Sequence, residues 1–176
     1  KGPHLLVAAL GVLRERAGGA GADPGVRLHV NGAASGDNGL DLAGLAAREG
    51  VADLVTFSGP VPAPALAAQF RAADVVAMPS ASETYGLVAL EAQACGTPVL
   101  AHRVGGLVYA VLDGVSGRHV TAGTPEAWAD ALAEILADRD AWAALGTGAV
   151  RHAAGHSWEA YADGLLEAVT AVPAKD

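Results

Sequence analysis

Apolar runs alternate with helix-like segments along most of the chain. Residues 3–17 (PHLLVAALGVLRERA) place apolar side chains at helical spacing, and a glycine-rich segment ends that helix. The same pattern predicts further helices at residues 40–50, 64–73 and 86–94. Between them, short apolar strands bounded by turn residues are predicted at 26–32, 54–59, 74–80 and 98–102.

The strands are apolar throughout instead of alternating with polar residues, which is typical of parallel strands covered on both faces. We therefore predict an α/β fold: a Rossmann-like, doubly wound parallel sheet with helices on both faces and a helical C-terminal tail. A short helix and an edge strand are expected within residues 104–120. The tail is predicted to form three helices, at residues 125–138, 139–154 and 157–169.

The whole chain, residues 1–176, is predicted to form a single domain. One tryptophan lies in each tail helix, so Trp128, Trp142 and Trp158 are all expected to be packing anchors. The chain starts with KGPHLL, without a strand before its first helix. We therefore expect it to be part of a longer protein.

Charge and cysteine content narrow the function classes. The net charge of −8 argues against a nucleic-acid partner, which needs a basic surface. It does not exclude an anionic ligand, because phosphate sites use backbone N–H groups and one or two cations. The single cysteine, Cys95, excludes an internal disulfide and is compatible with the cytoplasm, where we expect the protein. No apolar run approaches the roughly 18 residues of a membrane span.

The stretch SETYGLVALEAQACGTPV, residues 82–99, carries the candidate chemistry. Ligands of open α/β sheets bind beyond the carboxyl ends of the strands, where the helix at 86–94 begins. Its first N–H groups are free and its positive dipole end points outwards. The amides of Tyr85, Gly86 and Leu87 are therefore candidates to hold a phosphate group.

Two carboxylates flank this helix start. Glu83 precedes it, and Glu91 lies about 7 Å along the helix axis from Gly86. A ligand with hydroxyls at both ends and phosphates between them, such as a nucleotide sugar, would meet both acids. The alternative is a loop glutamate and a solvent-facing helix glutamate without a ligand. We favour the ligand because apolar neighbours predict a mostly buried helix, in which Glu91 would need a partner; these neighbours are Leu87, Val88, Leu90, Ala94 and Cys95.

Two other features lie near the predicted ligand edge. Gly105 and Gly106 form a turn that either passes near a phosphate or sugar or is purely structural. His102 follows the strand at 98–102 and is expected to face the same edge.

Residues 79–117, PSASETYGLVALEAQACGTPVLAHRVGGLVYAVLDGVSG, resemble the retaining glycosyltransferases of family 4, which have the two-domain GT-B fold. The E-x7-E motif of that family falls on Glu83 and Glu91, and the similarity continues through the helical tail. The resemblance implies the C-terminal, donor-binding domain, whose N-terminal partner domain carries the acceptor site. Within the family the chain looks most like the enzymes of mycothiol biosynthesis. That likeness implies transfer of N-acetylglucosamine from UDP-N-acetylglucosamine (UDP-GlcNAc) to 1D-myo-inositol 3-phosphate.

The resemblance also implies roles for individual residues. Lys1 would neutralise the pyrophosphate, Glu83 would hold hydroxyls of the donor hexose, and Glu91 would hold those of the ribose. The base would lie at Val61, and the phosphates would lie on the amides of Thr84, Tyr85, Gly86 and Leu87. In the mycothiol branch a Mg²⁺ ion is bound as well, which places it here at Phe70, Arg71, Ala73 and Thr97, in part through backbone oxygens. No organic cofactor is implied, and neither glutamate need act as a nucleophile.

Three other function classes remain open at this point. A GT-B epimerase or phosphorylase relative would share the sheet but not this run of motif residues. A dinucleotide-binding domain of an oxidoreductase has a similar sheet, but the G-x-G-x-x-G motif that such a domain needs is missing. A non-catalytic nucleotide-binding module would share the sheet and the phosphate site. The sequence leaves the oligomeric state undecided, with a homodimer as one candidate. The isolated chain is expected to bind donor weakly and to catalyse little.

Overall fold

The computed structural model describes residues 1–32 and 40–171, so the end of the predicted domain, 172–176, lies outside the described residues. Five strands, β1 to β5, cover Leu28–Asn31, Val55–Ser58, Val76–Met78, Val99–His102 and Gly117–Val120 in this part of the chain. Eight α-helices, α1 to α8, cover Pro3–Arg16, Leu42–Arg48, Ala63–Ala72, Leu87–Ala94, Leu107–Ala110, Pro125–Ala137, Arg139–Ala154 and Trp158–Thr170 in the same residues. A short 3-10 helix, Ala52–Leu54, precedes β2.

Every strand pair is parallel, as the apolar strands predict, but the described strands form two sheets. β1 pairs with β2, and β3, β4 and β5 form a second sheet in that order. In the first sheet Leu28 lies opposite Val55; in the second, Val76 lies opposite Val99. The carboxyl ends of the strands therefore lie at a common edge within each sheet, which is where an open α/β fold binds its ligands.

Helices cover both faces of the three-stranded sheet. Leu100 of β4 belongs to a core cluster with α1 and α6, whereas its neighbours Val99 and Ala101 belong to a second cluster with α4 and α5. Successive strand residues point to opposite faces, so the two clusters lie on opposite sides of the sheet. The first cluster also includes Leu28 and Val55, so one core joins both sheets.

Four helices, α2, α6, α7 and α8, have side-chain caps, but α1 and α4 begin differently. Asp41, Thr124, Asp138 and Ser157 each accept a hydrogen bond from an amide in the first turn of their helix. The N-caps of α1 and α4 are Gly2 and Gly86, with φ of 74° and 92° and no side-chain cap. At the start of α1, Pro3 has no N–H and the Leu5 N–H donates to the Gly2 carbonyl. The first amides of α4 are open to another acceptor.

The tail helices confirm two of the three tryptophan anchors. Trp128 is fully buried and Trp142 is 7% exposed, but Trp158 is 82% exposed. The prediction for Trp158 was wrong because α8 buries none of its residues against the rest of the described chain. Within residues 1–32 and 40–171, no helix has the length and apolar character needed to cross a bilayer.

Candidate functional site

Lys1 and Glu83 meet at the carboxyl edge of the three-stranded sheet. The backbone of Gly2 lies against the Pro79 carbonyl, just after β3, which places Lys1 beside the loop that leads to α4. The Lys1 ammonium donates a hydrogen bond to the Glu83 carboxylate, although 82 residues separate them in sequence. The Glu83 side chain is 12% exposed and that of Lys1 is 66% exposed.

This contact sets the charge state of Glu83. The hydrogen bond from Lys1 lowers the pKa of the Glu83 carboxyl below its ordinary value, although desolvation acts in the opposite direction. The backbone N–H groups of Thr84 and Tyr85 lower this pKa further. Glu83 is therefore an ionised hydrogen-bond acceptor at neutral pH, which is the form that binds neutral hydroxyls.

The start of α4 fits the predicted phosphate position. The helix begins at Leu87 with Gly86 as its uncapped N-cap, next to the Glu83 loop. Tyr85 and Leu87 are 46% and 58% exposed, so their surroundings are open to a ligand. An anion placed here would meet both the open amides and the positive end of the helix dipole.

Glu91 lies on an exposed face of α4, contrary to the expectation of a mostly buried helix. Leu87 and Val88 are 58% and 40% exposed, and Glu91 and Ala94 are exposed as well. These positions form one stripe at helical spacing, while the opposite face buries Ala89, Leu90, Ala92 and Gln93. The argument that Glu91 needs a buried partner was therefore wrong, because apolar composition does not show which face is covered.

The exposure of Glu91 nevertheless suits a ligand contact. Among residues 1–32 and 40–171, none forms a hydrogen bond or ion pair with its side chain. Its carboxylate thus has all its acceptor positions available, one and a half turns from the helix start. Exposed apolar residues around one acid are also expected on a surface that a ligand or another domain covers.

The Gly105–Gly106 turn packs directly on the Glu83 loop. The Gly106 N–H donates a 2.8 Å hydrogen bond to the Glu83 carbonyl. A methyl group at Gly106 would lie 2.6 Å from the Tyr85 Cα and still closer to the Thr84 carbonyl, so a side chain has no room here. Gly105 abuts the Glu83 carbonyl and has a φ of 48°. Of the two roles considered for this turn, the geometry supports the structural one.

Val61 and His102 also lie at the carboxyl ends of strands. Val61 follows β2 and is half-buried near the start of α3, at the edge of the two-stranded sheet. Its contact with a base stays a prediction. His102 ends β4, and its ring Nδ1 lies 3.1 Å from the Ser80 carbonyl, so it contacts the segment that leads into the Glu83 loop.

The four residues predicted to bind Mg²⁺ lie at the opposite end of α4 from the phosphate position. Thr97 Oγ1 donates a 2.6 Å hydrogen bond to the Phe70 carbonyl, at the end of α3. Arg71, Ala73 and Thr97 line a cavity of about 250 Å³. Hydroxyl and carbonyl oxygens are ligands that Mg²⁺ accepts. The Phe70 carbonyl already accepts bonds from Thr97 and from the Ala73 N–H, and the set contains no carboxylate.

The set thus offers Mg²⁺ neutral oxygens only, and the binding of the ion here stays a prediction. An ion at this place would join the ends of α3 and α4. Its distance from the start of α4 gives it no contact with the donor phosphates.

Sequence reasoning missed Gln93. This glutamine is fully buried on α4, and its Nε2 donates hydrogen bonds of 3.0 Å to the Ala89 carbonyl and 2.7 Å to the Ala110 carbonyl. The only available signal was a polar residue among the apolar residues of the helix. That signal does not reveal a partner on α5.

Comparison with known proteins assigns the fold and the family. Residues 1–152 match the family described as glycosyl transferases, group 1. The crystal structure of Anabaena HepE in complex with UDP superposes with a TM-score of 0.80 at 26% identity, covering 98% of this chain and 46% of that one. The fold of this chain is thus that of one domain of the GT-B glycosyltransferases.

The chain belongs to the glycosyl transferases, group 1. Among curated proteins it is similar to the D-inositol 3-phosphate glycosyltransferase of Segniliparus rotundus, with 51% identity over 169 residues, covering 94% of this chain and 36% of the relative. The protein of the same name from Corynebacterium urealyticum is 46% identical over 177 residues, covering 98% of this chain and 41% of the relative. The chain therefore spans less than half the length of these relatives. Family membership decides against the oxidoreductase interpretation.

Proposed function

We propose that the chain is the donor-binding domain of a retaining glycosyltransferase that transfers N-acetylglucosamine from UDP-GlcNAc to 1D-myo-inositol 3-phosphate. The observation that carries the proposal is the grouping of Lys1, Glu83 and the uncapped start of α4 at one sheet edge, with Glu91 exposed on the same helix. The names of the relatives support the acceptor. Structures of HepE with UDP and with UDP-glucose support a UDP-sugar donor.

Each residue then has a task in binding the donor. The open amides at the start of α4 and the Lys1 ammonium receive the diphosphate. An ammonium group has three N–H donors, so Lys1 can contact a phosphate oxygen while it remains bonded to Glu83. Glu83 accepts hydrogen bonds from the hexose and Glu91 from the ribose. Val61 contacts the base.

The chemical contribution of this domain is electrostatic. When the bond between sugar and phosphate breaks, negative charge develops on the departing diphosphate, and the helix end together with Lys1 stabilises it. The two glutamates fix the orientation of the sugar and the nucleoside. In a transfer with retention the leaving phosphate assists the incoming hydroxyl on the same face, so neither glutamate attacks the sugar.

The acceptor half of the reaction belongs to a partner domain in this proposal. The relatives extend well beyond the matched region, which leaves room for an acceptor domain. A cytoplasmic location and a Mg²⁺ ion at Phe70, Arg71, Ala73 and Thr97 stay predictions, and so does the homodimer.

Titration of the 176-residue chain with UDP, UDP-GlcNAc and nicotinamide adenine dinucleotide, with and without Mg²⁺, tests the proposal. NMR detection of the Tyr85, Gly86 and Leu87 amides makes even millimolar affinity measurable. We expect saturable shifts of these amides with both uridine nucleotides and none with the dinucleotide. Preference for the dinucleotide, or shifts confined to residues remote from α4, would contradict the donor-domain assignment.

A further inference from the structure

The short helix α5 touches every part of the Glu83 loop. Gly105 and Gly106, at its start, lie against Glu83, Thr84 and Tyr85. The body of α5 lies against Gly86, since a methyl group there would lie 2.8 Å from Ala110 Cβ and 3.2 Å from Leu107 Cδ2. A four-residue helix has little stability of its own. Its position must therefore be set by its neighbours.

Three side chains from three different elements lie within hydrogen-bond distance of carbonyl groups of α5. Gln93 of α4 donates to the Ala110 carbonyl at 2.7 Å. The ring Nε2 of His119, in β5, lies 3.3 Å from the Leu107 carbonyl, and that of His152, in α7, lies 3.2 Å from the Tyr109 carbonyl. Gln93 is the fully buried member of the three, and its amide donates at every pH.

We propose that Gln93 is a positioning residue for the nucleotide site, holding α5 in place so that α5 fixes the Glu83–Gly86 loop. The connection is short. Gln93 holds the last residue of α5, one helical turn from Gly106, and the Gly106 N–H holds the Glu83 carbonyl. A shift at the end of α5 is thus passed directly to the loop that orients Glu83 and the amides at the start of α4. This inference rests on the proposed function.

Because Gln93 is buried, its effect on the position of α5 can be distinguished from its effect on the stability of the fold. Its Oε1 is buried and has no hydrogen-bond partner among residues 1–32 and 40–171, which is unfavourable for folding. Replacing the amide by an apolar group of similar size removes that unfavourable group together with the two donated bonds. The Ala110 carbonyl then loses its side-chain partner, while the Ala89 carbonyl remains within the helix.

The test compares Gln93→Met with Gln69→Met. Gln69, on α3, is a matched control because within residues 1–32 and 40–171 it makes no hydrogen bond to α5, and its Oε1 is also buried without a partner there. For both variants we would measure the melting temperature, the hydrogen-exchange rate of the Gly106 amide by NMR, and the affinity for UDP. The exchange rate reports the bond between Gly106 and Glu83 and does not need a ligand.

We expect Gln93→Met to exchange the Gly106 amide about tenfold faster and to bind UDP about tenfold more weakly, the scale of one hydrogen bond, with little change in melting temperature. Gln69→Met should alter neither quantity. An unchanged exchange rate and an unchanged affinity in Gln93→Met would overturn the inference. So would equal losses in both variants, because these would indicate a general loss of stability.

A second variant covers the case in which Gln93→Met does not fold. In Gln93→Glu the introduced carboxyl is buried, so it is protonated at low pH and can donate to the Ala110 carbonyl, but not once ionised. Gly106 exchange should therefore slow on acidification, after correction for the intrinsic pH dependence measured in the parent chain. If the ratio of the Gly106 exchange rates in Gln93→Glu and in the parent chain does not change with pH, the inference is contradicted. If the parent chain fails to bind UDP, the proposed function fails, and Gly106 exchange alone then decides whether Gln93 holds the loop.

Discussion

The Gly106 amide donates a 2.8 Å hydrogen bond to the carbonyl of Glu83. This bond joins the Gly105–Gly106 turn to the loop that precedes α4. The same contact leaves no space for a side chain at residue 106. The backbone of Gly106 itself is ordinary, with φ of −63°, so any larger residue is excluded by the close approach of the two segments and not by conformation.

Gly106→Ala is therefore expected to displace the Glu83 loop and to weaken UDP binding. Gly164→Ala is the matched control, because Gly164 lies on the exposed helix α8 with nothing within 4 Å of an added methyl group. Alanine in a helix interior is more favourable than glycine by about 1 kcal/mol, so the control should be slightly stabilised. Thermal unfolding and UDP titration of both variants check this. Equal UDP affinity in Gly106→Ala and the parent would contradict the structural coupling.

Glu91→Ala should weaken UDP binding by roughly 1–3 kcal/mol, the scale of a lost hydrogen bond to a charged group. The free energy of unfolding should hardly change, because Glu91 is exposed and has no partner within the described residues. Glu167→Ala, at an exposed site on α8, is the control for removing one negative charge. If Glu91→Ala clearly lowers the free energy of unfolding while the folded domain keeps its UDP affinity, the glutamate is structural.

The bounds of the elements around the site could be predicted well. The sequence predicts a helix at 86–94 and the structure has Leu87–Ala94, because Gly86 and the Gly-Thr-Pro break mark both ends. Local signals of this kind depend only on neighbouring residues.

Features that depend on the tertiary structure were harder to predict. Leu87 and Val88 are apolar and yet exposed, since hydrophobicity does not show whether a neighbour is present to cover a face. Trp158 was misjudged for the same reason. Lys1 and Glu83 were assigned to one site only through the family resemblance, because nothing in their local sequence links residues this far apart. The hydrogen bond from Gln93 to the Ala110 carbonyl had no sequence signal beyond one polar residue.

The ion pair between Lys1 and Glu83 predicts a pH-dependent contribution to stability. Because the folded pKa of Glu83 lies below its ordinary value of 4.5, ionised Glu83 stabilises the fold above that pH. The contribution is lost as the pH falls through the lowered pKa. Lys1 is 66% exposed, so solvent screening keeps the effect below about 1 kcal/mol.

Denaturant unfolding of the parent, Glu83→Gln and Lys1→Met at about pH 7 and about pH 3 measures this contribution. We expect the parent to be more stable than both variants at the higher pH, and the differences from both variants to shrink at the lower pH. A difference of the same size at both pH values would show that the ion pair is not its cause.

The contacts of Arg14 indicate that its substitution would change the stability of the fold and leave the ligand site unchanged. Its guanidinium is 6% exposed and donates to the Ala22 carbonyl at 2.9 Å, to the Gly50 carbonyl, and to both oxygens of Asp53 at 2.7 Å. The bonds to Gly50 and Asp53 connect the end of α1 to the segment before β2. The same contact lowers the pKa of the Asp53 carboxyl. Lysine cannot reproduce the planar pair of bonds to a carboxylate.

Arg14→Lys should therefore lower the melting temperature, whereas Arg16→Lys should leave it nearly unchanged. Arg16 lies on the same helix and pairs with Asp130, but both side chains are exposed, at 46% and 63%. Calorimetric melting of the two variants measures the difference. UDP affinity below the melting transition should match the parent in both, because Arg14 lies at the end of α1 opposite Lys1. Equal melting temperatures would show that burial gives the Arg14 bonds no advantage over an exposed pair.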